Sequence, residues 1–352
     1  MKIAFILPSL ANRGPIIFTQ YLLQELCKTN NCIEVFYFDD TQKNILDLGV
    51  KTTKIPFRKK HDFSDFDIVH TTMARPDIYA SRFVPREKWI CSMHNYLKED
   101  MLMLHNKLKA LGIIFLWKNA IKKCRNITTS SNQMTEYYKK FLRNPISYTM
   151  IPYGIYEKSY GQICSEDEKA LLGFKKRGLT VIGSVGLLIP RKGFLQLIEI
   201  LKEFENTALV LIGEGSERNI LEKVIEENNL RDRVYLPGFR NDSHNYYKYF
   251  DVYAHASYSE GFGLAMLEAM SKKLPVICSD LPIYQDFFTN NDVALFKAGN
   301  TESLMTAFNK VVENMQLYKA ASYRLFREKF DVVVMCAKHE ELYNSLLAKK
   351  NY

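Results

Sequence analysis

Residues 254–270 read Ala-His-Ala-Ser-Tyr-Ser-Glu-Gly-Phe-Gly-Leu-Ala-Met-Leu-Glu-Ala-Met. The apolar residues at the start of this stretch indicate the end of a buried strand. A polar turn with Gly261 and Gly263 follows, and from Leu264 onward apolar residues recur at helical spacing. The stretch therefore predicts a strand that passes through a glycine turn into a helix.

Two carboxylates frame the start of this predicted helix, Glu260 before it and Glu268 inside it. A helix N-terminus presents free backbone N–H groups and a positive dipole end, which suits a phosphate. Gly261 and Gly263 let a ligand approach the backbone, and Glu268 can accept hydrogen bonds from sugar hydroxyls. We interpret the stretch as a site for a nucleotide-linked sugar. Glycine turns also precede amphipathic helices that bind nothing, so the interpretation depends on the surrounding motifs.

The length and composition indicate a soluble globular protein of two domains. The chain has 352 residues, of which 47% are hydrophobic and 25% charged. Its first apolar run is too short for a signal sequence, and no apolar stretch approaches the ~20 residues of a transmembrane helix. The seven cysteines are scattered without a CxxC pair. This favours a reducing cytoplasm over a disulfide framework or a zinc site.

The net charge of +9 is unevenly distributed. Residues 1–165 hold 24 Lys and Arg against 14 Asp and Glu, whereas the remainder holds 24 against 25. Residues 101–125 combine apolar, aromatic and basic side chains, which fits either an interfacial helix on anionic lipid or a core-facing helix whose lysines face water. The basic first half favours peripheral contact with the inner face of the plasma membrane. We find no nucleic-acid recognition motif and expect no nucleic-acid partner.

The order of predicted elements indicates an α/β fold with parallel sheets. In the first half, strands are predicted at 3–7, 33–38, 68–70, 89–93 and 127–129, and helices at 17–28 and 132–141. In the second half, strands are predicted at 181–185, 208–212, 234–236, 252–255 and 276–279, with helices at 193–203, 216–228 and 244–249, from 301, and at about 332–349. The polar stretch 156–177 marks the domain boundary.

Three loops offer further candidate ligand contacts. Gly14 lies between the first strand and first helix, at the sheet edge where ligands of α/β proteins bind. Arg191 and Lys192 stand between a strand and a helix, where they predict either a diphosphate clamp or a solvated charged turn. Gly213 also follows a strand, without the third glycine of a dinucleotide fingerprint. The triplet 65–67 matches the metal-binding DxD element, but it enters a strand rather than leaving one, so we predict no metal site.

Taken in order, several motifs resemble the retaining glycosyltransferases of family GT4, which have the GT-B fold of two facing Rossmann-like domains around a cleft. The resemblance covers residues 180–285. It rests on Arg191-Lys192-Gly193, 211–215, 234–238, the two glutamates of Ser257 to Glu268, and 274–280. The first half is similar more loosely, through Gly14, His94, Ser130-Ser131 and 151–154.

The resemblance implies roles for these residues. Arg191 and Lys192 would hold the donor diphosphate, Glu268 the ribose, and Glu260 the donor sugar, with His94 beside the reacting sugar. His94 also fits a buried structural histidine, and His70 and His255 are interpreted as structural. The other implied donor contacts are Gly14, Gly213, Phe239, Ser257, Gly261, Phe262, Gly263 and Leu264. Leu187, Tyr153 and Tyr156 depart from the family pattern, which bears on the phosphate geometry and the interdomain hinge.

The resemblance also implies the function and the division of the chain. We expect residues 1–155 to form the acceptor-side domain and 156–331 the donor-binding domain, with the helix at about 332–352 returning to the first. The enzyme would move a hexose or N-acetylhexosamine from a UDP-sugar, without a metal, to a lipid-linked or surface-polysaccharide acceptor such as lipopolysaccharide, O-antigen or capsule. A soluble glycoside or glucan synthase and a non-catalytic nucleotide-sugar-binding protein are the alternatives.

Overall fold

The computed structural model describes residues 1–40 and 45–348, which form two compact units. The first unit consists of Met1–Ile155 and the C-terminal segment from Lys329, and the second of Tyr156–Glu328. Over these described residues, every helix is too short or too polar to span a lipid bilayer. The predicted helix end at Lys349 lies outside the described residues.

The first unit is built on a sheet whose seven strands, within the described residues, all run parallel in the order β3-β2-β1-β4-β5-β6-β7. The strands are β1 Lys2–Ser9, β2 Cys32–Asp39, β3 Lys51–Lys54, β4 Ile68–Thr72, β5 Trp89–Ser92, β6 Asn126–Thr129 and β7 Ser147–Met150. The helices between them are α1 Gly14–Leu26, α2 Ala74–Phe83, α3 Leu97–Leu104, α4 Lys107–Ile121 and α5 Asn132–Leu142.

The five strands predicted for this half are confirmed, and the two edge strands were missed. β3 reads Lys-Thr-Thr-Lys and is largely exposed, and β7 is half-buried with an exposed first residue. An edge strand packs less apolar surface, so it carries no apolar run for a sequence pattern to detect. The central strands β4, β5 and β6 are buried throughout.

Residues 101–125 do not form one helix, because the helical conformation ends before His105 and resumes at Lys107, which separates α3 from α4. The Asn106 side chain accepts a hydrogen bond from the backbone N–H of Lys109 and thereby caps α4. Helix α2 was also missed in the sequence.

The second unit has six strands among its described residues, all parallel, in the order β10-β9-β8-β11-β12-β13. They are β8 Thr180–Val185, β9 Thr207–Ile212, β10 Val234–Gly238, β11 Val252–His255, β12 Val276–Ser279 and β13 Ala294–Phe296. Its helices are α6 Ser165–Lys176, α7 Phe194–Ile200, α8 Arg218–Glu227, α9 Leu264–Ser271, α10 Thr301–Glu313 and α11 Met315–Leu325, and the C-terminal helix is α12 Val332–Ala348. The strand order reverses between β8 and β11, where open α/β sheets bind ligands at the carboxyl ends.

The five predicted strands of this half are confirmed, whereas β13, α6 and α11 were missed. The polar stretch 156–177, interpreted as the domain boundary, contains α6, which has acidic residues in its first turn and Lys175 and Lys176 in its last. These charges complement the helix dipole. The predicted helix at 244–249 is a 3-10 helix, Ser243–Tyr249.

Helix α12 belongs to the first unit, where it packs on α1 and contacts His70 of β4. The Gly154 backbone N–H contacts Met335 Sδ at 3.1 Å, and Tyr343 Oη lies 2.7 Å from His70 Nδ1. A Cβ atom on Gly154 would lie 2.7 Å from both the Asp331 carbonyl oxygen and Met335 Cβ. Glycine at 154 is therefore needed for α12 to approach this closely.

We expect Gly154→Ala to lower the free energy of unfolding by about 2 kcal/mol, because the added methyl group must push α12 outward. Gly112→Ala is the matched control in the same unit. Gly112 lies within α4 and its added Cβ meets no described atom within 4 Å, so this change should stabilise the protein by about 1 kcal/mol. Chemical denaturation of both variants measures the difference, and equal shifts would contradict the close packing of α12.

Candidate functional site

The loops at the carboxyl ends of β8, β9 and β11 pack backbone against backbone. Gly193 has a left-handed φ of 65°, and its Cβ would lie 2.2 Å from the Ala256 carbonyl oxygen. A Cβ on Gly213 would lie 1.8 Å from the Gly186 carbonyl oxygen. Only glycine fits at 193 and 213. Gly213, predicted to contact the donor, is therefore required for the close packing of its loop against Gly186.

Gln196, which the sequence analysis missed, ties these loops together from α7. Its amide nitrogen donates to the Ala256 carbonyl oxygen at 2.9 Å, and its amide oxygen accepts from the Gly299 N–H at 2.6 Å. The side chain is buried. This bridge fixes the backbone of the polar turn relative to the loop that carries Lys192.

The buried carboxylate of Glu260 is the centre of a charged cluster. Lys192 Nζ donates to Glu260 Oε1 at 2.5 Å, and the Ser257 hydroxyl donates to the same oxygen at 2.6 Å. Arg191 Nη1 lies 3.8 Å from Glu260 Oε2 and donates to the Ser259 carbonyl oxygen at 3.2 Å. Four of the predicted site residues, Arg191, Lys192, Ser257 and Glu260, therefore meet within one cluster.

His255 and Tyr284 extend this cluster and were not assigned to it from the sequence. His255 Nε2 lies 3.3 Å from Glu260 Oε1 and 3.0 Å from the Tyr284 hydroxyl. Both side chains are buried, and a Cβ on Gly263 would come within 2.7 Å of the Tyr284 hydroxyl. The sequence offered one indication that His255 belongs to the cluster, because this residue ends the predicted strand two residues before Ser257.

Electrostatics keeps Glu260 ionised. Burial alone would raise the pKa of this carboxyl group, but the hydrogen bond from His255 and the positive charge of Lys192 outweigh burial. The pKa of Glu260 is held well below its usual range. Arg191, Lys192 and Glu260 together therefore carry one net positive charge at neutral pH.

Helix α9 begins beside this cluster. Gly263 precedes its first residue, Leu264, in a left-handed conformation with φ 95°, and no side chain of the described residues caps the helix. Glu268 accepts a hydrogen bond from the Tyr247 hydroxyl at 3.2 Å. Burial raises the pKa of Glu268, opposed by the charge of Lys158 and by the Tyr247 hydrogen bond.

The predicted contacts Gly261, Phe262 and Phe239 occupy different environments. Gly261 is half-buried in the turn before α9. The Phe262 side chain is buried with its ring centroid 5.6 Å from that of Phe287, so it leaves only backbone for a ligand. Phe239 is exposed beside a surface pocket of about 290 Å³. Its neighbour Arg240 is held by Asp167, at 2.7 and 3.0 Å, which occupies its guanidinium group.

Gly14 and His94 lie in the first unit. A Cβ on Gly14 would meet no described atom within 4 Å, so glycine there leaves open space. His94 is buried after β5, where its Nδ1 shares a hydrogen bond with the Tyr153 hydroxyl and its Nε2 has no hydrogen-bond partner among the described residues. Tyr153, noted as a departure from the family pattern, thus orients His94.

Burial lowers the pKa values of three buried histidines of the first unit, His70, His94 and His339, and keeps them neutral. Burial, with a smaller electrostatic contribution from the neighbouring His339 ring, lowers the pKa of His94 to about 3, and burial lowers that of His339 to about 4. Both ring nitrogens of His70 are occupied, by the Tyr343 and Ser92 hydroxyls at 2.7 and 2.6 Å. Among the described residues, His94 Nε2 and His339 Nε2 are both buried ring nitrogens without a hydrogen-bond partner, and both rings pack against Phe18.

Glu260→Gln should lower the free energy of unfolding by about 3 kcal/mol at neutral pH, because Lys192, whose side chain is 17% exposed, loses its partner. The folded-state pKa of Glu260 is depressed, so its stabilisation is full above the unfolded pKa of about 4.3 and is lost as the pH falls. The difference between wild type and variant should therefore shrink in acid.

Glu199→Gln is the matched control, because Glu199 pairs with Lys202 at the surface. This change should shift the free energy of unfolding by less than about 0.5 kcal/mol at any pH. Denaturation curves at several pH values measure both variants. A Glu260→Gln effect as small as that of the control, or one that does not vary with pH, would contradict a charged Glu260 at the cluster centre.

Comparison with known proteins finds relatives that are glycosyltransferases. Residues 168–326 match the family model described as glycosyl transferases group 1. The O-antigen biosynthesis glycosyltransferase WclY of Escherichia coli is 26% identical over 98% of this chain and 99% of its own length. The Escherichia coli UDP-Gal:alpha-D-GlcNAc-diphosphoundecaprenol alpha-1,3-galactosyltransferase is also 26% identical, over 96% of this chain and 88% of its own.

The fold is shared with solved structures. The sucrose-phosphate synthase (tll1590) from Thermosynechococcus elongatus superposes with a TM-score of 0.79 over 99% of both chains, at 18% identity. With the two parallel sheets, this likeness confirms the predicted GT-B fold class; the cleft stays a prediction. The family match covers β8 to β13 and the loops that hold Lys192 and Glu260. These matches identify the chain as a glycosyltransferase whose residues 168–326 are similar to the glycosyl transferases of group 1.

Proposed function

We propose that this enzyme transfers a hexose or N-acetylhexosamine from UDP to a lipid-linked saccharide acceptor of surface-polysaccharide synthesis, with retention of the anomeric configuration. The observation that carries the proposal is the cluster of Arg191, Lys192 and Glu260 beside the N-terminus of α9. A cationic cluster and an uncapped helix start together suit a diphosphate.

The donor diphosphate would bind where the two sources of positive potential meet. Lys192 Nζ uses one of its three donors on Glu260, which leaves two for phosphate oxygens. Arg191 is partly exposed and adds a second cation. These charges would balance the diphosphate without a metal ion. Leu187, noted above as a departure from the family pattern, is exposed and adds no charge.

Glu268 and Glu260 would hold the two sugars of the donor. The Glu268 carboxylate would accept hydrogen bonds from the ribose hydroxyls, next to Tyr247. Glu260 has Oε1 filled by Lys192 and Ser257, and its Oε2 atom lies 3.8 Å from Arg191. Oε2 would therefore contact a hydroxyl of the donor hexose while Oε1 positions Lys192.

The reaction would be a front-face displacement at the anomeric carbon. The acceptor hydroxyl oxygen forms a bond to that carbon as the bond to the diphosphate oxygen breaks, and the acceptor proton passes to the leaving diphosphate. Arg191, Lys192 and α9 stabilise the negative charge that develops on the leaving group. His94 is neutral at pH 7, so its Nε2 would hydrogen-bond a sugar hydroxyl rather than carry charge.

The acceptor class is supported by the relatives. One is named for O-antigen biosynthesis, and another for transfer of galactose from UDP to a sugar on diphosphoundecaprenol. Both align over nearly the whole of this chain, including the first unit. A lipid-linked acceptor and a UDP donor are therefore the substrates that we propose.

The test is a transfer assay with a panel of UDP-sugars and a sugar-diphosphoundecaprenol acceptor, with NMR of the product linkage. We expect an α-linked product from an α-linked donor, and no loss of rate with EDTA. Lys192→Ala should lower the transfer rate about 100-fold or more, whereas Lys202→Ala, at a surface lysine, should leave it unchanged. An inverted product, a requirement for metal, or transfer to soluble sugars alone would contradict the proposal.

A further inference from the structure

Helix α4 of the first unit is apolar on two opposite sides. Ala110, Ile114, Trp117 and Ile121 recur at helical spacing and belong to the buried core of the unit. Leu108, Leu111 and Phe115 recur at the same spacing on the other side, where they are 86%, 48% and 66% exposed. A helix that only covered a core would carry polar residues on its outer side.

The inner side fixes the orientation of α4. Trp117 Nε1 donates to Asp77 Oδ2 at 2.6 Å, and Asp77 is fully buried on α2, where its other oxygen accepts from the Thr71 hydroxyl. Losing this bond would leave the buried Asp77 Oδ2 atom without its donor, which would lower the stability of the fold. The helix therefore has no low-energy rotation that turns Leu108, Leu111 and Phe115 into the core.

The outer residues form a cluster rather than isolated exposures. Together with Leu116, which is 55% exposed, they place four exposed large apolar side chains within residues 108–116. Single exposed leucines are ordinary on protein surfaces, but contiguous apolar patches mark interaction sites. We call Leu108, Leu111, Phe115 and Leu116 the α4 outer patch.

The charge around the α4 outer patch indicates its partner. Residues 101–135 contain six Lys and Arg and no Asp or Glu. Lys107 and Lys109 flank Leu108 and are exposed, and among the salt bridges between described residues neither takes part. Lys118 lies over the Phe141 ring at 4.3 Å. Apolar side chains flanked by unpaired lysines complement the interface of an anionic bilayer.

We propose that the α4 outer patch docks the first unit on an anionic lipid bilayer, with Leu108, Leu111 and Phe115 inserted among the acyl chains and Lys107 and Lys109 at the headgroups. A second copy of the chain fits less well, because two copies would bring their lysine clusters together without a carboxylate on this segment. The contact is a property of the first unit and does not depend on the transfer reaction.

Vesicle co-sedimentation of the full chain tests this surface. We expect binding to vesicles of equal parts phosphatidylcholine and phosphatidylglycerol, much weaker binding to phosphatidylcholine alone, and weakening by salt. Leu108→Ser/Phe115→Ser should bind anionic vesicles about tenfold more weakly or worse. Lys107→Gln/Lys109→Gln should lose affinity for anionic vesicles only. Leu317→Ser is the matched control in the second unit, at a residue 63% exposed, and should bind like wild type.

Three results would overturn the proposal. The first is that the wild type does not bind anionic vesicles. The second is that the Leu108→Ser/Phe115→Ser variant binds them as tightly as the wild type. In the third, light scattering shows a wild-type dimer that this variant converts to monomer without any vesicle binding, so that a second copy covers the patch. Calorimetry with UDP on the same variants reports the donor site separately, so a failure of lipid docking is distinguishable from a failure of the proposed transfer activity.

Discussion

The ion pair between Lys192 and Glu260 is the interaction on which the candidate site depends. Glu260 is buried, so its carboxylate needs several partners to remain ionised, and Lys192, Ser257 and His255 supply them. Because the charges of Lys192 and Glu260 neutralise each other, the positive charge of Arg191 and the positive end of α9 remain for a ligand anion. A buried pair of this kind holds Lys192 in one place before any ligand arrives, which reduces the ordering that binding requires.

The backbone around this pair is constrained by loop contacts that tolerate no side chain. Gly193 approaches the Ala256 carbonyl oxygen and Gly213 approaches that of Gly186, and Gln196 bridges two of the loops. These contacts bring the carboxyl ends of β8, β9 and β11 together at the point where the strand order reverses. The parallel sheet therefore determines where the site lies, and the glycines determine how closely its loops approach.

Most strands of the two sheets were predictable from the sequence, because buried strands leave runs of apolar residues. The charged residues Arg191, Lys192 and Glu260 were also predictable, because they lie next to glycine turns. The edge strands β3 and β7 were not, since they pack too little apolar surface to leave a pattern. Partners distant in sequence were also missed. His255 and Tyr284 are 29 residues apart and meet only in the fold. The sequence likewise indicated apolar and basic character near α4, but the cap at Asn106 and the inward bond of Trp117 decide which side faces out.

The most direct test of the central claim is calorimetric binding of UDP, GDP and ADP to the protein without added metal, for the wild type, Lys192→Ala and the control Lys202→Ala. If Lys192 holds the donor diphosphate, UDP binds the wild type and the control equally, and Lys192→Ala binds it about tenfold more weakly or worse, since a charge-assisted hydrogen bond is lost. If none of the nucleotides binds, or if Lys192→Ala binds UDP as tightly as the wild type, the cluster around Glu260 is not the donor site.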